Sequence, residues 1–162
     1  MFEPAQLELA AAIIGRCRAR GLRVVTAESC TGGLISACLT AIAGSSAVFD
    51  RGFVTYSDSA KMALLGVPRD LLVRSGAVDE AVARAMAEGA VRAAGADVAV
   101  AVTGIAGPDG GTADKPVGLV HFAAARAGAD TWHDRRVFAG DRQAVRAATV
   151  TTALRLLAGR IA

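Results

Sequence analysis

Aromatic residues make up only 4% of the 162-residue chain, and there are three cysteines and two histidines. So few aromatics on a scattered charge pattern exclude a nucleic-acid surface built on base stacking. The odd cysteine count (Cys17, Cys30, Cys38), without a C-x-x-C pair and with only His121 and His133 beside it, excludes a disulfide framework and a zinc site. No apolar run approaches the roughly 20 residues that cross a bilayer. The start, MFEPAQLELAAAIIGRCRAR, carries Glu3 and Glu8 and no small-residue cleavage site, so it does not read as a signal peptide, and a cytoplasmic location is expected. With 53% apolar and 20% charged residues, disorder is excluded too, and one domain over 1–162 with an ordinary core is expected. A net charge of +3 suits a basic pocket for a small anion better than a polyanion surface.

Lysine is also scarce. Of 18 basic residues only Lys61 and Lys115 are lysines, and the single tyrosine, Tyr56, lies five residues before Lys61. Arginine cannot lose its proton in a protein, whereas lysine can where its surroundings disfavour charge. A lysine in so arginine-biased a chain therefore marks a candidate base. Lys115, in a glycine-rich loop, carries no such weight.

Short apolar runs alternate with amphipathic stretches, the pattern of an α/β domain. Helices are predicted over 4–20, 34–43, 59–65, 79–94 and from 141 to about 157, with glycine stops and Asp79 and Asp141 as caps. Strands are predicted over 22–27, 53–56, 97–102, 117–125 and 131–138, the last two as a hairpin. The hairpin favours a three-layer α/β/α sandwich with a mixed sheet over a purely parallel one.

Two loops follow apolar strands, where α/β domains place ligands. The first, Glu28-Ser29-Cys30-Thr31-Gly32-Gly33, has a glycine pair and two hydroxyls ahead of a helix, which suits a phosphate cradle. On its own it reads first as an ordinary tight turn, and it is not a Walker loop. The second, Thr103-Gly104-Ile105-Ala106-Gly107-Pro108-Asp109-Gly110-Gly111, allows close backbone approach, but its spacing is not that of a dinucleotide fold. Two such loops make a shared ligand site the better reading. Arg142, in the first turn of the last helix, opposes the helix dipole and so is a candidate anion ligand. For nucleophilic chemistry, Gly44-Ser45-Ser46-Ala47, Tyr56 and Lys61 supply a serine and a base. His121 and His133 have no partner aspartate in view and read as structural. Cys30 is a competing nucleophile with no evident base beside it.

Together these motifs resemble the CinA C-terminal family, whose single-domain members are nicotinamide-nucleotide amidases. The resemblance runs through Ala27-Glu28-Ser29-Cys30-Thr31-Gly32-Gly33, Gly44-Ser45-Ser46, Gly52-Phe53-Val54-Thr55-Tyr56, Thr103 to Gly111, Lys115-Pro116-Val117-Gly118 and Gly140-Asp141-Arg142. It implies hydrolysis of nicotinamide mononucleotide to nicotinate mononucleotide and ammonia, without metal or cofactor. It implies Ser46 as nucleophile, Lys61 as base and Tyr56 as helper, with oxyanion donors near Ser46 and Ala47. Ser29, Thr31, Gly32, Gly33, Thr103, Gly104, Gly107 and Arg142 would then bind substrate. The expected partner is a small-molecule nucleotide, with no nucleic acid or membrane, and a homo-oligomer is compatible. Larger family members add an N-terminal domain for which 162 residues leave no room. A non-catalytic nucleotide-binding module with the same pocket, and an amidase for another amide, are the rival readings.

Overall fold

The computed structural model describes residues 1–162. The chain runs α1 (Pro4–Arg20), β1 (Val24–Glu28), α2 (Leu34–Thr40), a 3₁₀ turn (Ser45–Ala47), β2 (Phe49–Val54), α3 (Asp58–Leu65), α4 (Arg69–Ser75), α5 (Glu80–Ala94), β3 (Val98–Gly104), β4 (Leu119–Arg126), β5 (Ala129–Val137) and α6 (Arg142–Arg160). The five strands form one sheet in the order β2-β1-β3-β4-β5. β1 pairs in parallel with β2 and β3, while β4 and β5 continue antiparallel. The sheet is mixed and sandwiched between helices, as the late hairpin predicts.

The two faces of the sheet differ in side-chain size. On one, Val24, Val98, Val100, Val102, Val120 and Phe122 pack against α1, α2 and α6. On the other, Ala27, Ala99, Ala101, Ala123 and Ala125 present methyl groups to α5. Small side chains let α5 settle close to the sheet through Val82, Ala83, Met86 and Ala90. α5 in turn carries Gly89, where a Cβ would fall 2.0 Å from the Leu65 carbonyl oxygen. That contact seats α3, and with it Lys61, over the carboxyl ends of β1 and β3.

Asp79 and Asp141 cap α5 and α6 as expected, accepting from the Ala81 and Ala144 amides at 2.8 Å each. Three elements differ from expectation. β2 begins at Phe49, four residues before the predicted start: the register shifts past Asp50, which is left unpaired on this edge strand and ion-pairs with Arg23 and Arg51. α4 is not among the expected elements: Gly66, at positive φ, ends α3, Pro68 stands at the N-cap of α4, and only Leu72 of α4 is buried. α2 stops at Thr40, three residues early.

Gly52 of β2 sits over Thr26 and Ser36, and a Cβ there would lie 2.1 Å from Ser36 Oγ and 2.9 Å from Thr26 Oγ1. Ser36 cannot turn away without giving up its bond to Glu28. Gly52→Ala is therefore expected to cost about 1–3 kcal/mol by overpacking. At roughly 2–4 °C per kcal/mol for a domain of this size, thermal melting reads that as a fall of several degrees. An unchanged melting temperature would show that β2 yields freely at this point.

Candidate active site

Lys61 is the largest fully buried side chain in the protein, 1% exposed. Ser57 caps α3 through the Ala60 amide and sets the helix so that Lys61 points inward under β1 and β2. Its Nζ lies 2.8 Å from the Thr55 carbonyl oxygen, 3.4 Å from the Tyr56 carbonyl oxygen and 3.0 Å from Ser29 Oγ. All three partners are uncharged. Burial pushes the Lys61 ammonium below the ordinary lysine value, and Asp58 opposes this from a distance.

Ser29 follows β1 and is itself buried. Its amide donates to the Val102 carbonyl of β3 at 3.1 Å, which ties the start of the loop to the central strand. A cavity of about 200 Å³ opens over the Ser29–Lys61 pair, walled by Cys30, Tyr56, Ala77, Val78, Thr103, Gly104, Ala106 and Arg142. Thr103 Oγ1 donates to the Ala77 carbonyl at 2.8 Å and so fastens the 76–79 loop over the site. Arg142 bridges the mouth, donating to the Gly107 carbonyl and to the Tyr56 hydroxyl, each at 2.9 Å. It also lines a neighbouring cavity of about 560 Å³ between α1, α2 and α6.

The fold thus gathers Ser29, Tyr56, Lys61, Thr103, Gly104 and Arg142, six of the residues expected at the site. It does not bring Ser46 among them. Ser46 lies in the 3₁₀ turn ahead of β2, next to the point where Val24 at the start of β1 donates to the Val48 carbonyl. Lys61 is at the other end of the same strands, where Thr55 donates to the Glu28 carbonyl. At about 3.3 Å per residue, β2 separates the two ends by roughly 20 Å. Ser46 therefore cannot share a proton with Lys61 within this chain. The amides near it are at the wrong edge of the sheet, and that of Ala47 already bonds the Gly44 carbonyl.

The first loop also differs from the expected phosphate cradle. Thr31 Oγ1 and the Gly33 amide turn inward to the Glu28 carboxylate, at 2.7 and 3.1 Å. The helix start that would attract a ligand anion already holds one from the chain itself. Gly32 instead faces Arg146. Gly107 takes part only through its carbonyl. The Tyr56 hydroxyl is on Arg142, so toward Lys61 this residue offers its backbone oxygen alone.

The competing groups are placed unfavourably for attack. Burial pushes the Cys30 thiol up to about 11, which keeps it protonated at neutral pH. His121 and His133 stack on each other with Nδ1 and Nε2 3.0 Å apart, and His133 reaches Glu80 at 3.5 Å. They serve the α5–sheet junction and meet no serine. Sequence reading passed over two residues, Glu28 and Arg146, that hold the first loop. The available signals were a carboxylate ending an apolar strand and an arginine one helical turn beyond Arg142.

Residues 6–161 match the family model of the CinA C-terminal domain. A putative competence-damage inducible protein of Symbiobacterium thermophilum is 54% identical over 153 residues, covering 89% of this chain and 36% of that protein. The chain thus spans little more than a third of that relative's length. Nicotinamide-nucleotide amidohydrolase PncC of Enterobacter agglomerans is 55% identical over 146 residues, 90% of this chain and 89% of that one. Among solved structures, the competence/damage inducible protein CihA from Agrobacterium tumefaciens matches at TM-score 0.96 and 51% identity, over 98% of this chain and 97% of that one. The competence damage-inducible protein A from Klebsiella pneumoniae matches at TM-score 0.91 and 44% identity, over 96% of each. The chain belongs to the CinA C-terminal domain family.

Proposed function

We propose that this chain hydrolyses the carboxamide of nicotinamide mononucleotide to nicotinate mononucleotide and ammonia, with Ser29 as nucleophile and Lys61 as base. The observation that carries the reading is the coordination of Lys61 Nζ. A neutral amine has two N–H bonds and one lone pair. The Thr55 and Tyr56 carbonyls can take the two N–H bonds, which leaves the lone pair facing Ser29 Oγ at 3.0 Å. Burial without a carboxylate partner favours that neutral form. Relatives of single-domain length that bear the name nicotinamide-nucleotide amidohydrolase supply the substrate class.

In this mechanism Ser29 Oγ attacks the amide carbon while its proton passes to Lys61 Nζ. The Cys30 and Thr31 amides, which donate to no backbone carbonyl, are the candidate donors for the developing oxyanion. Collapse breaks the C–N bond, and the proton held by Lys61 leaves with ammonia. A water then gives one proton to Lys61 and its hydroxide to the acyl carbon; the C–O bond to Ser29 breaks as Lys61 returns that proton to Ser29 Oγ, and the acid released ionises to the carboxylate in solvent. The cationic pyridinium ring makes the carboxamide more electrophilic throughout. A 200 Å³ cavity suits the ring end of the substrate, below the roughly 300–1,000 Å³ of whole-ligand sites. The remainder extends past Arg142, which borders both cavities.

Ammonia release from nicotinamide, its riboside and its mononucleotide tests this reading. The mononucleotide is expected to be the best substrate. Losing one charge-assisted contact costs about 1.5–3 kcal/mol, so the riboside should fall roughly tenfold to a hundredfold in kcat/KM. Equal efficiency on riboside and mononucleotide would remove Arg142 as a phosphate ligand. Binding without ammonia from any of the three would favour a non-catalytic nucleotide-binding module.

A further inference from the structure

The Glu28 side chain is fully buried, pairs with no cation, and is met by donors on every side. Its Oε2 accepts from Thr31 Oγ1 at 2.7 Å and from the Gly33 and Ile35 amides at 3.1 and 3.0 Å. Oε1 accepts from the Ser36 amide and hydroxyl at 2.8 and 2.7 Å and from Thr26 Oγ1 at 3.3 Å. Burying an unpaired carboxylate is costly, and a serine or asparagine at the helix start would cap α2 without that cost. The carbonyl side of the same loop is held from the opposite direction. Arg146 of α6 donates from Nε to the Cys30 carbonyl at 3.2 Å and from Nη2 to the Thr31 carbonyl at 2.8 Å. Arg146 also forms no ion pair, so neither charge is committed elsewhere. The loop between them begins at Ser29. Glu28 reaches the base as well: its own carbonyl accepts from the Thr55 amide at 2.8 Å, and the Thr55 carbonyl accepts from Lys61.

We propose that Glu28 and Arg146 are a pair of positioning residues that grip the 29–33 loop from its amide side and its carbonyl side and so hold Ser29 Oγ on Lys61. This rests on the reading of Ser29 as nucleophile. Two opposed charges fix the loop's rotation about the strand end, which a single cap would leave free. The Thr31 amide is aimed by the same grip, because it shares a peptide plane with the Cys30 carbonyl that Arg146 holds. The effect is on geometry at the reacting atoms; Glu28 lines neither cavity, whereas Arg146 also lines the larger one, so the positioning role is read in kcat and in the reactivity of Ser29 rather than in affinity.

The test compares wild type, Ser29→Ala, Glu28→Gln, Arg146→Met and Arg146→Lys. Three quantities are read: kcat and KM for ammonia release from nicotinamide mononucleotide, the melting temperature, and the rate at which a fluorophosphonate phosphonylates Ser29 with loss of fluoride. Misplacement by about 1 Å can cost on the order of 100-fold. Glu28→Gln and Arg146→Met are therefore expected to lose kcat on that scale, with KM within about threefold of wild type for Glu28→Gln, whose side chain lines neither cavity. Labelling of Ser29 should slow in the same proportion. Arg146→Lys should recover part of the loss, since an ammonium can still donate to one carbonyl. Arg146 is only half buried, so Arg146→Met remains a fair test where Glu28→Gln fails to fold. Wild-type kcat and labelling in folded Arg146→Met, or a rise in KM with kcat unchanged, would overturn the positioning role while an inactive Ser29→Ala left the nucleophile standing. Ammonia release by Ser29→Ala would overturn the nucleophile and the positioning role together.

Discussion

Ser29→Ala is expected to abolish ammonia release, whereas Ser46→Ala should leave turnover near wild type. The first loses the only hydroxyl within reach of Lys61 Nζ, at 3.0 Å. Removing a serine nucleophile from a serine–base pair costs on the order of 10⁴-fold or more in kcat. The second removes an exposed hydroxyl at the far edge of the sheet, where no base lies beside it. Substrate binding, measured by calorimetry on the inactive variant, should survive in Ser29→Ala, because the hydroxyl attacks and does not anchor. Ser29 is buried in a packed loop, so a melting curve must accompany the assay. An inactive Ser46→Ala beside an active Ser29→Ala would reverse the assignment. It would also require a route by which Ser46 meets a base across roughly 20 Å of strand.

The contrast between the two serines shows what sequence can and cannot fix. Helix limits were readable at Gly21, Asp79, Gly95 and Asp141, but not at Gly44, since α2 already ends at Thr40. The layered mixed sheet followed from alternating elements and a late hairpin. The site's position at the carboxyl ends of β1 and β3 followed from where the glycine-rich loops fall. Lys61 stood out through the scarcity of lysine alone. Which serine serves it did not follow from any of these. Ser46 is the nearer to Lys61 in sequence, but β1 and β2 run parallel, so the turn before β2 lies opposite the loop after β1. Only the pairing register shows which serine lies beside Lys61. The first loop misled for a related reason. A glycine pair with flanking hydroxyls looks the same whether the anion at the helix start is a ligand or a side chain. Here the anion is Glu28, the first residue of the motif itself. The charged edge of β2 and the short α4 carry too little buried apolar pattern to announce themselves.

Lys61→Arg is expected to be almost as inactive as Lys61→Met, although it keeps the charge and the reach. If Lys61 supplied only a fixed positive charge, arginine would serve and most of the activity would remain. As a base it must accept the Ser29 proton, and a guanidinium has no lone pair to offer near neutral pH. Losing a general base typically costs 10²–10⁴-fold, so both variants should fall on that scale. The wild-type pH profile gives an independent reading of the same role. If Lys61 is the base, the working form is the neutral amine, and activity is expected to rise with pH through the folded-state value of Lys61 and to fall as the pH drops below it. Burial lowers that value from its ordinary 10.5, with Asp58 and Cys30 pulling the other way. The acid limb of kcat/KM should therefore lie below where a free lysine would put it and disappear in the residual activity of Lys61→Met. Lys61→Met leaves the Thr55 and Tyr56 carbonyls without their donor, at about 1–3 kcal/mol for a buried group, so its melting temperature should drop while the fold persists. Most of the wild-type turnover in a folded Lys61→Arg protein would exclude Lys61 as the base and leave the Ser29 hydroxyl to be activated by another group.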